Sequence, residues 1–336
     1  MDRDHWPTRG WTISTPEAQG VSSAALERLD PVIRAEYGNT LGIAVVRHGR
    51  LIYERYYGRA PGDCAHVFSA AKSVLSALVG IALEQGCLSS LDQKVLDFFP
   101  DYVPTIPDPV REQVTLRHLL TMTAPYRYEP WQEPLAQMGD APDWVQYSLD
   151  LMGGGRPLGQ FQYSTAGTQL LSAILSRATG QCARAFANQH LFRPLGMTVL
   201  PEPSMEDFQV EDLMTTRAPT WIPDPQGVTI GGFGLTLSPR DMARFGLLYL
   251  DGGRWEGRQI VPEAWVRAST APHTSEYGYL WWLFEGKAFG AMGDGGNMIC
   301  CVPERDLVVA AASSFVFGTK NRWDLVKEHI LPAILD

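Results

Sequence analysis

Apolar residues that recur every three or four positions predict the main helices of this chain. One such run begins at Ser69 and reaches the glycine at 86, which suits the end of a helix. A second follows Tyr163 and closes at Thr179-Gly180, and a third occupies residues 321–335. Ser238-Pro239-Arg240-Asp241 has the cap, proline and first-turn acid of a helix start, so we assign it no catalytic role.

Continuous apolar runs bounded by turn residues predict strands near both ends of the chain. Residues 42–47 and 51–57 form one predicted hairpin around His48-Gly49. Residues 299–302 and 307–312 form another pair of strands around a charged turn. The fold class is therefore α/β, with sheet elements at both ends and helices between them.

This order of elements predicts a discontinuous domain with a helical insertion. We expect residues 1–68 and 235–336 to form the α/β sheet domain, and residues 69–234 to form a mainly helical domain. An active site is expected at their interface.

Composition excludes several classes of function. The 336 residues are 45% hydrophobic and 19% charged, which is typical of a soluble globular protein with room for a large core. A net charge of −9 and the absence of a basic run argue against a nucleic-acid partner. No apolar stretch approaches the roughly 18 residues that span a membrane, and residues 1–6 lack the apolar core of a signal peptide.

The cysteines and histidines favour a cytoplasmic protein without a metal or another cofactor. The five cysteines are scattered and odd in number, which favours reduced thiols. No group of His, Cys and Asp residues has metal-ligand spacing. The sequence leaves the oligomeric state open.

Ser69 and Lys72 are the first candidate catalytic pair. They lie three residues apart at the predicted helix start, so their side chains share one face, where the helix dipole favours negative charge. A serine hydroxyl needs a base to become a nucleophile, and a desolvated lysine can be that base or tune one. A capping serine beside a lysine that reaches solvent is the alternative. Only five of the 28 basic residues are lysines, and arginine cannot transfer a proton.

Two further segments have the chemistry to complete such a site. Tyr163 precedes the second helix, where it is either a packing residue or a phenol whose pKa a neighbouring ammonium lowers, so that it can take the serine proton. Gly293-Asp294-Gly295 leads into a strand near the C-terminal end of the chain. It is either a tight hairpin or a strand edge that donates N–H groups to a substrate carbonyl oxygen.

Taken in order, Ser69-x-x-Lys72, Tyr163-x-Thr165 and the glycine-rich strand entry resemble the penicillin-recognising serine hydrolases. The closest branch is the class C β-lactamase-like group, which includes esterases and 6-aminohexanoate-dimer hydrolases. The resemblance extends over nearly the whole chain, and four further stretches match the group: Gly42–Arg50, Thr115–Thr123, Phe192–Met197 and Tyr277–Trp282. The resemblance implies an antiparallel sheet flanked by helices, with an inserted all-helical domain.

The resemblance also implies a role for each motif residue. Ser69 resembles the acylated nucleophile, and Lys72 resembles the proton-relay partner that tunes the base. Tyr163 resembles the general base that deprotonates Ser69 and then returns a proton to the leaving group. The backbone N–H groups of Ser69 and Asp294 resemble the oxyanion hole. The alignment to the strand leaves the second donor open within one or two residues of Asp294.

This chain departs from the family pattern at two positions. Thr165 stands where the second motif usually ends in asparagine, and its hydroxyl can still donate to a substrate carbonyl or bond Lys72. The third motif usually begins with a lysine or histidine that helps to hold a substrate carboxylate. Asp294 repels a carboxylate, which argues against penicillins and peptidoglycan stems as substrates.

Aromatic residues predict the walls of the substrate pocket, since they suit an uncharged acyl or amide chain. The predicted substrate-binding residues are Thr165, Tyr126, Tyr128, Trp131, Trp282, Gly293 and Gly295. Trp221 and Trp281 are further aromatic candidates, and Arg127 could meet a substrate carboxylate.

We therefore expect a serine hydrolase that cleaves a small ester or amide through an acyl-enzyme on Ser69. A β-lactamase or D-amino-acid peptidase is the first alternative. A non-catalytic binding protein on the same scaffold is the second, and the intact Ser69, Lys72 and Tyr163 argue against it.

Overall fold

Six strands form one antiparallel sheet, and they come from two distant parts of the chain. In a computed structural model that describes residues 3–154, 156–204 and 211–335, the sheet order is β2-β1-β10-β9-β8-β7. The described strands, in chain order, are β1 Thr40–Arg47, β2 Arg50–Tyr56, β3 Ala65–His66, β4 Thr236–Leu237, β5 Arg254–Trp255, β6 Arg258–Gln259, β7 Trp282–Phe284, β8 Ala288–Gly293, β9 Asn297–Val302 and β10 Leu307–Ser313. The predicted pairs 42–47 with 51–57 and 299–302 with 307–312 are confirmed.

Helices fill the chain between the two groups of strands. The described α-helices are α1 Ser23–Glu27, α2 Leu29–Glu36, α3 Ala71–Glu84, α4 Leu116–Leu120, α5 Leu135–Asp140, α6 Trp144–Leu151, α7 Thr165–Thr179, α8 Ala183–Ala187, α9 Arg193–Leu195, α10 Asp212–Thr215, α11 Pro239–Leu250, α12 Glu263–Ser269 and α13 Arg322–Leu325. Short 3₁₀ and π turns extend several of them, and the predicted final helix continues from α13 through such turns to Ala333. None of the helices in these ranges is both long and apolar enough to cross a lipid bilayer.

Side-chain alternation along the sheet separates two hydrophobic cores. Successive side chains of a strand point to opposite faces, and in β9 Cys300 lies in one core while Cys301 lies in the other. The larger core also contains the apolar face of α3, from Val74 to Ala82, which is fully buried. An antiparallel sheet flanked by helices is the fold that the sequence predicts. The division into residues 1–68 with 235–336 and residues 69–234 stays a prediction, because the larger core continues across both boundaries.

Candidate active site

Ser69 lies in a tight turn at the start of α3. The sequence predicts that the helix begins at Ser69, but residues Phe68–Ala70 form a 3₁₀ turn and the α-helix begins at Ala71. The backbone of Phe68 is left-handed, with φ of 49°, which is an uncommon and strained conformation for a bulky residue. This conformation breaks the helical run just before Ser69 and leaves Ser69 half-buried at the surface of a cavity.

The end of β8 runs directly against this turn. A Cβ atom on Gly293 would lie 2.0 Å from the carbonyl oxygen of Val67, so only glycine permits this approach. Asp294 follows at once and is exposed. This neighbourhood is consistent with an oxyanion hole between the two segments, and Asp294 as its second donor stays a prediction.

Lys72 is the most buried charged group of the site. Its side chain is only 1% exposed, and its ammonium donates to three oxygens. The distances from Nζ are 3.0 Å to Ser69 Oγ, 3.4 Å to Thr165 Oγ1 and 3.0 Å to the carbonyl oxygen of Gly232. These acceptors compensate part of the cost of burying the charge. The interpretation of Lys72 as a lysine that reaches solvent is therefore wrong.

Burial makes Lys72 a weaker base than an ordinary lysine. Removal from water disfavours the ammonium and lowers the Lys72 pKa to about 8, although the carboxylates of Glu133 and Asp294 act in the opposite direction. At neutral pH a fraction of about one tenth is therefore uncharged and able to accept a proton. An amine with this pKa, 3.0 Å from a serine hydroxyl, has the geometry of a general base.

Tyr163 completes the group, but its acidity differs from the prediction. The Tyr163 ring lies 5.0 Å from Lys72 Nζ, and Ser164 caps the helix that follows. Burial raises the pKa of the Tyr163 phenol, while a hydrogen bond from Ser69 acts in the opposite direction. The direction is opposite to the predicted lowering, because loss of hydration is the largest effect on this phenol. At neutral pH Tyr163 is a protonated phenol.

Glu133 is a member of the site that the sequence did not reveal. Its carboxylate accepts hydrogen bonds from the backbone N–H groups of Thr165 and Ala166, each at 2.7 Å, and from the Ser164 hydroxyl at 3.2 Å. It therefore holds the first turn of α7, directly after Tyr163, and places a negative charge at the positive end of the helix dipole. No periodic pattern marks Glu133, since it lies in an irregular segment 31 or more residues before its partners.

A cavity of about 1470 Å³ opens beside these groups. The predicted site residues that line it are Ser69, Trp131, Tyr163, Thr165, Trp282, Gly293 and Asp294. The rings of Trp131, Tyr163 and Trp282 lie nearly parallel, with centroids 5.4 to 6.4 Å apart. They form an aromatic wall of the kind that the sequence predicts, and Trp131 is 67% exposed at its outer edge.

Three predicted substrate-binding residues lie outside this wall. Tyr126 is buried behind α7, where its hydroxyl fills the space that a Cβ of Gly167 would need. Tyr128 packs on Tyr126 and donates to the carbonyl oxygen of Tyr163 at 3.3 Å. Gly295 is buried against the backbone of Ser314. None of these three residues is among those that line the cavity.

The additional candidates are also structural. Trp221 and Trp281 are completely buried. Arg127 is paired with Asp108 at 3.2 Å and lies outside the cavity wall, so it is not placed to meet a substrate carboxylate.

The contacts of Glu133 predict a pH effect. If uncharged Lys72 accepts the Ser69 proton, kcat/KM rises with pH and levels off above an apparent pKa near 8. Glu133→Gln removes a charge that raises the Lys72 pKa, so we expect the rise to move to lower pH. Loss of the helix contacts should also reduce the free energy of unfolding by about 1 kcal/mol.

The matched control for this prediction is Glu129→Gln. Glu129 lies in the same segment but pairs with Arg156 at the surface. Its pH profile and melting temperature should resemble those of the wild type. A Glu133→Gln profile unchanged or moved to higher pH contradicts the electrostatic coupling.

Comparison with known proteins identifies the class. The family model described as Beta-lactamase matches residues 29–326, which is most of the chain. The chain therefore belongs to the beta-lactamase family, and it is a serine hydrolase of the β-lactamase/transpeptidase-like fold.

Individual proteins that this chain is similar to are hydrolases with different names. The 6-aminohexanoate-dimer hydrolase of Paenarthrobacter ureafaciens is 24% identical over 331 residues, covering 89% of this chain and 78% of that protein. Esterase EstB of Burkholderia gladioli is 29% identical over 175 residues, covering 46% of this chain and 44% of that protein. The solved structure of EstCE1, a hydrolase with promiscuous acyltransferase activity, has a TM-score of 0.69 at 20% identity, covering 94% of this chain and 98% of that one.

Proposed function

We propose that this protein hydrolyses a small ester or amide through an acyl-enzyme on Ser69. The observation that carries the proposal is the contact between Lys72 Nζ and Ser69 Oγ at 3.0 Å, in a site where burial lowers the Lys72 pKa to about 8. A nucleophilic serine needs an adjacent base, and this arrangement supplies one.

The reaction follows from the positions of the three side chains. Uncharged Lys72 accepts the Ser69 proton as Oγ attacks the substrate carbonyl carbon. The bond from that carbon to the leaving oxygen or nitrogen then breaks. Protonated Tyr163 is placed to pass a proton to the leaving group and to regain one from Lys72. Water hydrolyses the acyl ester on Ser69 by the same steps in reverse order.

Substrates without a carboxylate fit the cavity better than β-lactams do. No lysine or arginine lines the cavity among the described residues, and Gly293-Asp294-Gly295 offers no lysine or histidine where the family motif usually begins with one. The names of the relatives, a 6-aminohexanoate-dimer hydrolase and an esterase among them, support the ester or amide assignment. A β-lactamase or D-amino-acid peptidase would need a cation to hold its anionic substrate.

We also propose a cytoplasmic location and a small-molecule partner, without nucleic acid or membrane. All five cysteines are unpaired, and three of them are buried. The net charge of −9 supports the exclusion of nucleic acid.

A substrate panel tests the proposed function. We expect kcat/KM for short-chain p-nitrophenyl esters to exceed that for a chromogenic cephalosporin by more than tenfold, because Asp294 repels the cephalosporin carboxylate. Short amides measured on the same sample show whether esters or amides are preferred. A kcat/KM for the cephalosporin that is tenfold higher than for the esters contradicts the ester assignment. If none of the compounds is turned over, the result favours the non-catalytic binding protein.

A further inference from the structure

The charged residues that line the active-site cavity are all acidic. Its described lining contains six carboxylates and no lysine or arginine: Glu133, Asp140, Asp224, Glu276, Glu285 and Asp294. The residues outside the described ranges add no lysine or arginine, since none occurs among them in the sequence. His66 also lines the cavity, but burial lowers its pKa to about 4, so it is uncharged at neutral pH.

Three of the six carboxylates are already occupied within the protein. Glu133 holds the start of α7, as described above. Asp224 accepts from Gln169 at 2.8 Å and from two backbone N–H groups. Glu285 accepts from Lys327 at 3.3 Å and from the Trp323 indole at 3.4 Å. These carboxylates are part of the structure and are not available to a ligand.

The other three carboxylates are available. The side chains of Asp140, Glu276 and Asp294 are exposed and make no hydrogen bond or ion pair with any residue that the structure describes. Of these three carboxylates, Asp294 is the one whose charge acts on both catalytic side chains, Lys72 and Tyr163. A negative charge at this position lowers the local potential beside the scissile bond.

The aromatic wall of the same cavity independently favours a cation. The negative faces of aromatic rings attract ammonium groups, and Trp is the strongest of them. The Tyr163 ring already holds Lys72 Nζ at 5.0 Å on one side. The rings of Trp131 and Trp282 are stacked next to Tyr163 within the same cavity, where a second cation can reach them.

We propose that the substrate is an ester or amide with a positively charged ammonium group close to the scissile bond, held by the Asp294 carboxylate and the Trp282 and Trp131 rings. This inference rests on the proposed hydrolase function and specifies its substrate class. In the family pattern, the lysine or histidine of the third motif helps to hold a negatively charged substrate. The substrate proposed here carries the opposite charge.

Pairs of substrates that differ only in charge test the inference. On the leaving-group side, butyrylthiocholine is compared with its uncharged carbon isostere, S-(3,3-dimethylbutyl) thiobutyrate, and both release a thiol with the same readout. On the acyl side, p-nitrophenyl 4-(trimethylammonio)butanoate is compared with p-nitrophenyl 5,5-dimethylhexanoate. We expect the cationic member of at least one pair to have a kcat/KM at least tenfold higher.

Asp294→Asn should reduce the ratio of kcat/KM for the cationic substrate to kcat/KM for its uncharged partner several-fold, whatever its effect on the absolute rates. Glu304→Gln is the matched control, because Glu304 is an exposed acid in the turn after β9, at the opposite end of that strand from Asp294. Its ratio should equal that of the wild type. High salt should weaken the preference for the cation, since exposed charges are screened.

The outcomes separate the two proposals. If the uncharged esters are hydrolysed but the ratio is one or less in both pairs, the inference is overturned and the hydrolase function stands. A ratio that Asp294→Asn leaves unchanged also overturns it. If no ester of either charge is hydrolysed, the proposed function itself fails, and the inference fails with it.

Discussion

Replacing Lys72 by arginine is expected to be nearly as damaging as replacing it by alanine. We expect both variants to lose about 10²–10⁴-fold in kcat, the usual effect of removing a general base. Arginine keeps the positive charge but stays protonated at any working pH, so it cannot accept the Ser69 proton. If the site required only a fixed charge near Ser69, Lys72→Arg would retain much of the activity.

Steric damage is the main competing explanation for such a loss. The Lys72 ammonium is enclosed, since a Cβ on Gly232 would lie only 3.1 Å from Nζ, and a guanidinium is larger. Melting temperatures of both variants therefore accompany the rates, with Lys94→Arg, an exposed lysine, as the control. Rescue of Lys72→Ala by small primary amines would report proton transfer directly. A Lys72→Arg variant that melts like the wild type and keeps more than about a tenth of its kcat, a difference of about 1.4 kcal/mol, contradicts the proton-transfer role.

Ser69→Ala is expected to have the largest effect of any single substitution. Removing the nucleophile of a serine hydrolase costs on the order of 10⁶ in kcat. The fold should be unaffected, because Ser69 is half-buried and its hydroxyl accepts a hydrogen bond from Lys72 within the site. Combining Ser69→Ala with Lys72→Ala should cost little more than Ser69→Ala alone, since the two side chains act as one unit. Additive losses would contradict that coupling.

The sequence predicted the parts of the site that depend on local geometry. Ser69 and Lys72 are three residues apart at a helix start, and that spacing alone brings their side chains together. Tyr163 directly precedes a capped helix, and helix caps are recognisable from the sequence. The two strand pairs were predicted for the same reason, because turn residues separate continuous apolar runs.

The parts of the site that the sequence did not predict depend on long-range contacts in irregular segments. Glu133 and the carbonyl of Gly232 meet the site across 31 to 160 residues of sequence, and neither belongs to a periodic pattern. The direction of the Tyr163 pKa shift could not be predicted from the sequence either, since it depends on how deeply the phenol is buried. Tyr126 and Tyr128 were predicted as pocket residues by type, but packing behind α7 determines their role.

Covalent labelling with a fluorophosphonate tests the central claim most directly. A fluorophosphonate reacts with an activated serine, so intact-mass and peptide analysis should find one adduct per chain, on Ser69. Ser69→Ala should remain unlabelled, and labelling of the wild type should become faster as the pH rises towards 8, because more of Lys72 is uncharged. An adduct on another residue, or equal labelling of Ser69→Ala, would contradict the assignment of Ser69 as the nucleophile.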